Sequence, residues 1–227
     1  MLTHPNCKIN LGLHILSRRA DGYHTLESIF VPTDTYTDDL QIDIAESFSF
    51  VCNDSNIDNP ENLCIRAYRL LHDEFPQVVK PVKIQLTKRI PYGAGLGGGS
   101  ADAAFTLTMI NEMFALGLSI TQLMDRATLI GADCPFFVMN HTSYVTGIGQ
   151  YIIPLQWDLL SKGVKIEIIK PDVSISTREA YQGVTPRSLK PHLHTPNLMD
   201  VIERPIEDWR TLLINDFEES IFPNHPE

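Results

Sequence analysis

The sequence is poor in basic residues. Only 18 lysines and arginines stand against 28 aspartates and glutamates, which gives a net charge of −10. Nucleic-acid-binding proteins rely on a basic surface, so this composition argues against that class. No apolar run approaches the roughly 18 residues that cross a bilayer, and the chain does not open on a basic segment followed by an apolar one. These absences favour a cytoplasmic protein with neither nucleic acid nor membrane as its partner; they leave the oligomeric state open.

The sequence also lacks a C-x-x-C pair. Its four cysteines, Cys7, Cys52, Cys64 and Cys134, are widely separated, so neither a zinc site nor a disulfide framework is favoured. We expect reduced thiols that pack as small apolar side chains.

Internal repeats and regular strand–helix–strand spacing are missing too, which favours an α+β fold. Alternating apolar residues predict strands, and apolar residues at helical spacing predict helices. The predicted strands are 9–16, 26–32, 39–44, 48–52, 82–87, 142–149 with its turn, and 163–170. The predicted helices are 63–75, 100–114, 120–130 and 206–222. Residues 131–137 are expected to form a loop leading into a strand, and 185–204 a linker.

A glycine-rich segment, residues 91–104, is the most informative part of the chain. It holds five glycines within positions 93–99 and then turns into small residues that favour a helix. Glycine tolerates positive φ and lets a ligand approach the backbone. A helix N-terminus points unpaired N–H groups outward, and the helix dipole favours an anion there. The segment therefore predicts a phosphate-binding loop between the strand 82–87 and a helix; the alternative is a flexible turn.

Two common nucleotide motifs do not fit this loop. A P-loop ends in Gly-Lys-Ser/Thr, and no lysine follows Gly99. Gly93, Gly95 and Gly98 have the spacing of a dinucleotide fingerprint. However, the region about 20 residues further on is predicted to be helical and offers no strand ending in an acidic residue.

The segment 91–104 resembles the phosphate-binding motif of the GHMP kinases. Segments 8–11 (KINL), 19–24 (RADGYH), 131–137 (GADCPFF), 171–177 (PDVSIST) and 215–218 (NDFE) extend the resemblance from about Cys7 to the end of the chain. They narrow it to the branch that acts on a cytidine-diphosphate-linked methylerythritol. The resemblance implies the two-domain GHMP fold with the active site in the cleft between domains. It also implies ATP-dependent phosphorylation of the substrate's free 2-hydroxyl, in the non-mevalonate route to isoprenoid precursors.

The resemblance also implies catalytic roles for Asp133 and Lys8. Asp133 matches the family's catalytic aspartate, which takes the hydroxyl proton during phosphoryl transfer. Lys8 is expected beside it, where a cation favours the carboxylate form and polarises the hydroxyl. Without the resemblance, an aspartate after a helix and a lysine at a strand end are ordinary surface residues.

The substrate residues implied by the resemblance are Asn10, Tyr23, His24 and Tyr181. Asn10 is expected to bond the methylerythritol hydroxyls. Tyr23 and His24 are expected to recognise cytosine by stacking and hydrogen bonding, with Tyr181 as a second stacking face. A lone tyrosine or histidine is more often structural, so these roles depend on the motif.

ATP is the expected co-substrate, and Mg²⁺ is expected to arrive with it because no carboxylate cluster is visible in the sequence. Backbone amides of the loop would wrap the phosphates, with the Ser100 hydroxyl close to phosphate or Mg²⁺. The resemblance also implies Asn62, Leu63 and Lys88 as candidates for the adenine pocket; helix capping, core packing and a surface strand end are their structural alternatives. The loop candidates are Pro91, Gly93, Ala94, Gly95, Leu96, Gly97, Gly98, Gly99 and Ser100.

The predicted domains are an N-terminal ATP-binding domain, residues 1–150, and a C-terminal domain, residues 151–227, which is expected to be incomplete. The resemblance implies a second, glycine- and serine-rich loop after 215–218, and the sequence shows none. Two alternatives stay open. One is another GHMP kinase, of the homoserine or mevalonate type, against which Tyr23 and His24 argue. The other is a non-catalytic nucleotide-binding module; Lys8 and Asp133 argue against it, and the missing second loop argues for it.

Overall fold

The computed structural model describes residues 1–157, 159, 163–171, 173, 175–190 and 196–225. Asp172 and Ser174, within the predicted motif 171–177, lie outside the described residues. The strands are β1 (Leu2–Thr3), β2 (Asn6–Arg18), β3 (His24–Thr37), β4 (Asp39–Ile44), β5 (Ser49–Cys52), β6 (Val82–Thr87), β7 (Ser143–Gly147) and β8 (Tyr151–Pro154). The helices are α1 (Leu63–Glu74), α2 (Gly98–Met113), α3 (Ile120–Thr128), α4 (Cys134–Met139), α5 (Thr177–Gly183), α6 (Leu198–Ile202), α7 (Ile206–Leu212) and α8 (Asp216–Ile221). The α+β prediction is confirmed.

Two compact units divide the chain, and each is built from several segments. The first comprises Met1–Lys8, Pro32–Tyr92 and Leu96–His141, and the second comprises Ile9–Val31, Gly93–Gly95 and Thr142–Glu227. The predicted division into domains 1–150 and 151–227 stays a prediction.

The first unit contains a sheet of order β1-β4-β6-β5. β4 pairs antiparallel with β1 and β6, with Asp39 opposite Thr87, and β5 pairs parallel with β6. Alternating apolar residues on one face, such as Leu40 and Ile42, are fully buried. They pack in one core with residues of α1, α2 and α3, including Leu71, Leu107 and Leu123.

The second unit contains a sheet of order β2-β3-β7-β8, in which β7 pairs antiparallel with β3 and β8. Its core joins Ile29 and Val31 of β3 to Leu198 and Ile202 of α6 and to Trp157. Among the residues described, each helix is too short or too polar to cross a bilayer.

Local signals explain the elements that were predicted well. Asn62 caps α1, because its side-chain oxygen accepts a hydrogen bond from the Cys64 amide at 2.9 Å. Ser119 and Gln122 form a capping box at the start of α3. All four cysteines are buried free thiols, as their spacing predicts.

The prediction of a strand after residue 133 was wrong, because Cys134–Met139 is the helix α4. A short apolar run carries no period that separates a buried strand from a buried helix. Pro135 lies in the first turn, where its missing N–H costs nothing. Asn140 ends the helix with left-handed backbone, φ 49°.

Three further expectations need correction. Residues 163–170 alternate in burial but belong to no strand in the described part of the chain. The predicted helix 206–222 is two helices, because the chain is extended at Leu213 and Asn215 and Asn215 caps α8 by accepting from the Phe217 amide. The predicted linker 185–204 contains a 3₁₀ turn at Arg187–Leu189 and the helix α6.

Candidate active site

Lys8 and Asp133 lie together in the first unit. Lys8 belongs to β2 and is 5% exposed, whereas the Asp133 side chain, at the N-cap of α4, is 34% exposed. The Nζ atom of Lys8 lies 3.8 Å from Oδ2 of Asp133. Burial lowers the pKa of Lys8, and Asp133 offsets part of this by favouring the ammonium form. The arrangement pairs a buried cation with a carboxylate that solvent or substrate can reach.

The glycine loop contacts this pair directly. The Lys8 amide donates to the Leu96 carbonyl at 3.0 Å. A Cβ built on Gly97 would lie 2.8 Å from two ring atoms of Phe137 in α4 and 3.3 Å from Cγ of Lys8. Only glycine permits this close approach. Gly97 also has a φ of +74°, which favours glycine on its own. The loop, Lys8 and the helix that carries Asp133 are therefore packed as one group.

The loop leads into α2 without a side-chain cap. Gly97 is the N-cap and, having no side chain, makes no side-chain cap hydrogen bond. Gly93 and Gly95 also have positive φ, 68° and 71°. A 16-residue helix with an uncovered N-terminus can accept an anion at its first amides. This is the local geometry that a phosphate loop needs.

Ser100 and Cys134 link the loop helix α2 to α4. The hydroxyl of Ser100 is hydrogen-bonded to the thiol of Cys134, and burial raises the pKa of that thiol to about 11 although the Ser100 bond opposes it. Both side chains meet the position of a Cβ on Gly131, at 3.1 Å for Sγ and 4.0 Å for Oγ. The cysteine thus stays a neutral packing group, and the predicted phosphate contact of Ser100 remains a prediction.

The adenine candidates lie around the same loop. Asn62 uses its side chain to cap α1 and to bond the Ile57 carbonyl at 2.9 Å. Helix capping, its structural alternative, is therefore observed. Leu63 lies 3.8 Å from the position of a Cβ on Gly99. Lys88 is not at a surface strand end, which was its structural alternative, because its side chain is only 9% exposed.

Sequence reasoning missed the two carboxylates that hold Lys88. Its Nζ donates to Oδ2 of Asp38 and, at 2.7 Å, to Oδ2 of Asp102. Burial raises the pKa of Asp102 and Asp38 adds to the rise, whereas Lys88 opposes it by favouring the carboxylate form. Asp38 lies outside the motifs, and the glycine-rich segment 91–104 gave no role to its Asp102, so only the fold reveals the group.

The cytosine candidates of the second unit form part of an aromatic chain. The rings of His24 and Tyr181 stack with centroids 5.1 Å apart and planes inclined by 20°. Phe217, in the motif 215–218, meets Tyr181 edge-on at 4.8 Å. Tyr23 is 61% exposed. Burial and the nearby Arg18 lower the pKa of His24, so its imidazole is neutral at physiological pH and can both donate and accept a hydrogen bond.

Asn10 and the motif 215–218 have defined structural partners. The side-chain amide of Asn10 donates to the Ser28 hydroxyl at 2.9 Å. Asp216 accepts from the Ile15 amide at 2.8 Å, and its two oxygens accept from Nε and Nη2 of Arg187 at 2.8 and 2.7 Å. The motif therefore fixes α8 to β2 and holds Phe217 against Tyr181.

Comparison with known proteins gives consistent relatives. The family model described as GHMP kinases N terminal domain matches residues 62–141. A 4-diphosphocytidyl-2-C-methyl-D-erythritol kinase of Bacteroides fragilis is 45% identical, with all of this chain and 81% of the relative covered. The protein of that name in Bacteroides thetaiotaomicron is 46% identical at the same coverage.

A solved structure agrees with these relatives. The crystal structure of a 4-(cytidine 5'-diphospho)-2C-methyl-D-erythritol kinase matches with a TM-score of 0.76 and 28% identity. The match covers all of this chain and 79% of that one. By sequence and by fold, the chain belongs to the 4-diphosphocytidyl-2-C-methyl-D-erythritol kinases, a branch of the GHMP kinase family.

Proposed function

We propose that the chain transfers the γ-phosphoryl group of ATP to the 2-hydroxyl of 4-diphosphocytidyl-2-C-methyl-D-erythritol, with Asp133 as the general base. The observation that carries this proposal is the pairing of Lys8 and Asp133 beside the glycine loop. Their distance, 3.8 Å, exceeds a hydrogen bond, so a hydroxyl oxygen can approach both atoms. The alternative of a homoserine or mevalonate kinase is disfavoured by the names of the relatives.

The chemistry assigns one task to each group. Asp133 takes the hydroxyl proton as the oxygen attacks the γ-phosphorus; the new O–P bond forms while the bond to the β-phosphate oxygen breaks and ADP leaves. The Lys8 ammonium stabilises the negative charge that develops on the attacking oxygen. The amides at the start of α2 hold the triphosphate, since a helix N-terminus favours anions.

Mg²⁺ is proposed to arrive with ATP. Among the described residues, no three His, Cys, Asp or Glu side chains form a metal-binding group. Mg²⁺ keeps several waters and is usually bound by substrate phosphates with one or two carboxylates. The ion would be held mainly by the phosphates and would supply neutralisation of their charge.

Substrate recognition is proposed for the second unit. Asn10 would bond the methylerythritol hydroxyls, and the neutral imidazole of His24 can match the donor and acceptor groups of a cytosine edge. Tyr23 offers an exposed ring for stacking, while Tyr181 is already held by His24 and Phe217. In the first unit, Asn62, Leu63 and Lys88 remain the proposed adenine contacts.

The test is an ATP-consumption assay with the cytidylylated methylerythritol, with the product identified by ³¹P NMR. Asp133→Asn should lower kcat by about 10²–10⁴-fold while leaving the melting temperature unchanged. Asp125→Asn, an exposed aspartate of α3, is the matched control and should keep wild-type turnover. A folded wild type that binds ATP without turnover would support the non-catalytic module instead. Wild-type rates in Asp133→Asn would remove that residue as the base.

A further inference from the structure

The two ends of the glycine loop are joined by a buried group of charges. Lys88 directly follows β6, where the chain leaves for the loop, and Asp102 lies in the second turn of α2, where it returns. The 2.7 Å bond between Lys88 Nζ and Asp102 Oδ2 bridges these ends. At the same place a Cβ on Gly98 would meet Ile90 at 2.9 Å and Lys88 Nζ at 3.1 Å. The ends are thus held together by both charge and close packing.

Asp38, between β3 and β4, fixes the first residues of the loop. Its Oδ2 accepts from Lys88 Nζ. Its Oδ1 accepts from the amides of Arg89 at 2.6 Å and Ile90 at 2.8 Å. One fully buried carboxylate therefore binds three consecutive residues at the point where the strand ends.

This arrangement contributes little net free energy to the stability of a fold. Burying ion pairs costs desolvation, and apolar replacements are often equally stable or better. Oδ1 of Asp102 is buried without a partner among the described residues, which adds a further penalty. Its neighbours Ala101, Ala103 and Ala104 are small, fully buried apolar residues, the ordinary choice for such a site. The charges therefore point to a positional role rather than to stability.

We propose that Asp38, Lys88 and Asp102 form a clamp that holds the two ends of the glycine loop in register and thereby sets the affinity for ATP. The loop needs such a clamp because its five glycines leave the backbone conformationally permissive. Lys88 gives two of its three N–H groups to the carboxylates, so at most one is left for the nucleotide. Asp38 and Asp102 are positioning residues and do not contact substrate. The inference rests on the proposed ATP site.

The test compares nucleotide binding with stability in the full chain. Asp102→Ala should raise both the KM for ATP and the Kd for a fluorescent ATP analogue by about 10–100-fold, the effect of misplacing a binding group by about 1 Å. The KM for the cytidylylated substrate should stay unchanged. Asp102→Asn keeps an oxygen that accepts from Lys88 and should restore most of the affinity.

Two controls separate positioning from stability. Glu74→Gln removes the ion pair with Arg126 on the surface of the same unit, and Ser119→Ala weakens the cap of α3. Both should leave the Kd for the ATP analogue at the wild-type value. A purely structural role predicts instead that Asp102→Ala lowers the melting temperature with the Kd unchanged, and this result would overturn the clamp. If wild-type protein itself fails to bind ATP, the proposed function fails.

Hydrogen exchange on the wild type tests the clamp without any variant. The amides of Arg89 and Ile90 should be protected before nucleotide is added, because Asp38 already accepts both. If Asp102→Ala does not fold, the binding comparison is made with Asp102→Asn, and hydrogen exchange tests whether the clamp is preformed. Rapid exchange of both amides in the nucleotide-free protein would contradict a preformed clamp even if ATP binds well.

Discussion

Gly97→Ala should destabilise the protein through two separable effects. The φ of +74° at Gly97 costs an L-residue about 1–2 kcal/mol. The added Cβ would also lie 2.8 Å from Cε2 and Cζ of Phe137 and 3.3 Å from Cγ of Lys8. Phe137 is 2% exposed, so a buried ring must shift to make room, and the overpacking adds about 1–3 kcal/mol. The expected loss of unfolding free energy is therefore about 2–5 kcal/mol.

Gly95→Ala isolates the backbone cost. Gly95 has nearly the same φ, +71°, but a Cβ there would meet nothing within 4 Å. Urea unfolding of the wild type and both variants should show that Gly97→Ala loses about 1–3 kcal/mol more than Gly95→Ala. In thermal unfolding this difference corresponds to about 2–12 °C, at about 2–4 °C per kcal/mol for a chain of this size.

Equal losses for the two variants would refute the close packing of Gly97 against Phe137. A double-mutant cycle with Phe137→Leu gives a second criterion, because leucine lacks the two ring atoms that the new methyl group meets. Gly97→Ala should cost less in the Phe137→Leu background, with a coupling of about 1–3 kcal/mol. Strict additivity would show that the two residues do not collide.

Three further predictions have defined outcomes. Ser119→Ala removes the capping box with Gln122 and should lower the unfolding free energy by about 1 kcal/mol in urea titration; no change would show that the cap is unimportant. The four buried thiols, with the pKa of Cys134 raised to about 11 by burial, should be inert to a disulfide reagent at pH 8 until urea unfolds the chain; rapid reaction of the native protein would contradict their burial. The His14 hydrogen bond lowers the pKa of Glu27 below its ordinary value of 4.5, so its stabilisation is present above that value and is lost as the pH falls through the folded-state value. Glu27→Gln should flatten this acid limb of the melting temperature, and an unchanged limb would refute the assignment.

Strand and helix positions were predictable where the signals are local. The strands Asp39–Ile44 and Val82–Thr87 have the predicted bounds, because alternation places every second side chain in the core. The helix after Asn62 begins where its cap indicates. Residues 134–139 were not predictable in this way, since a run of consecutive apolar residues lacks a period and tertiary packing decides between helix and strand.

The site was predictable only as far as motifs reach. The resemblance named Lys8 and Asp133, which the fold brings together, and His24 and Tyr181, which it stacks. The partners of Lys88 carried no signal, because Asp38 and Asp102 come from separate elements and meet only through the pairing of β4 with β6 and the packing of α2. Long-range polar groups of this kind depend on the fold rather than on sequence spacing.

The two buried lysines of the first unit differ because of what surrounds them. Burial would lower the pKa of Lys88, but Asp102 and Asp38 outweigh it and raise the pKa, so this ammonium is firmly charged and tightly held. At Lys8 burial dominates and lowers the pKa despite Asp133. A cation that few neighbouring groups neutralise interacts more strongly with a negative charge that develops near it. Lys88 is thereby suited to holding structure, and the surroundings of Lys8 support its proposed role at a reacting oxygen.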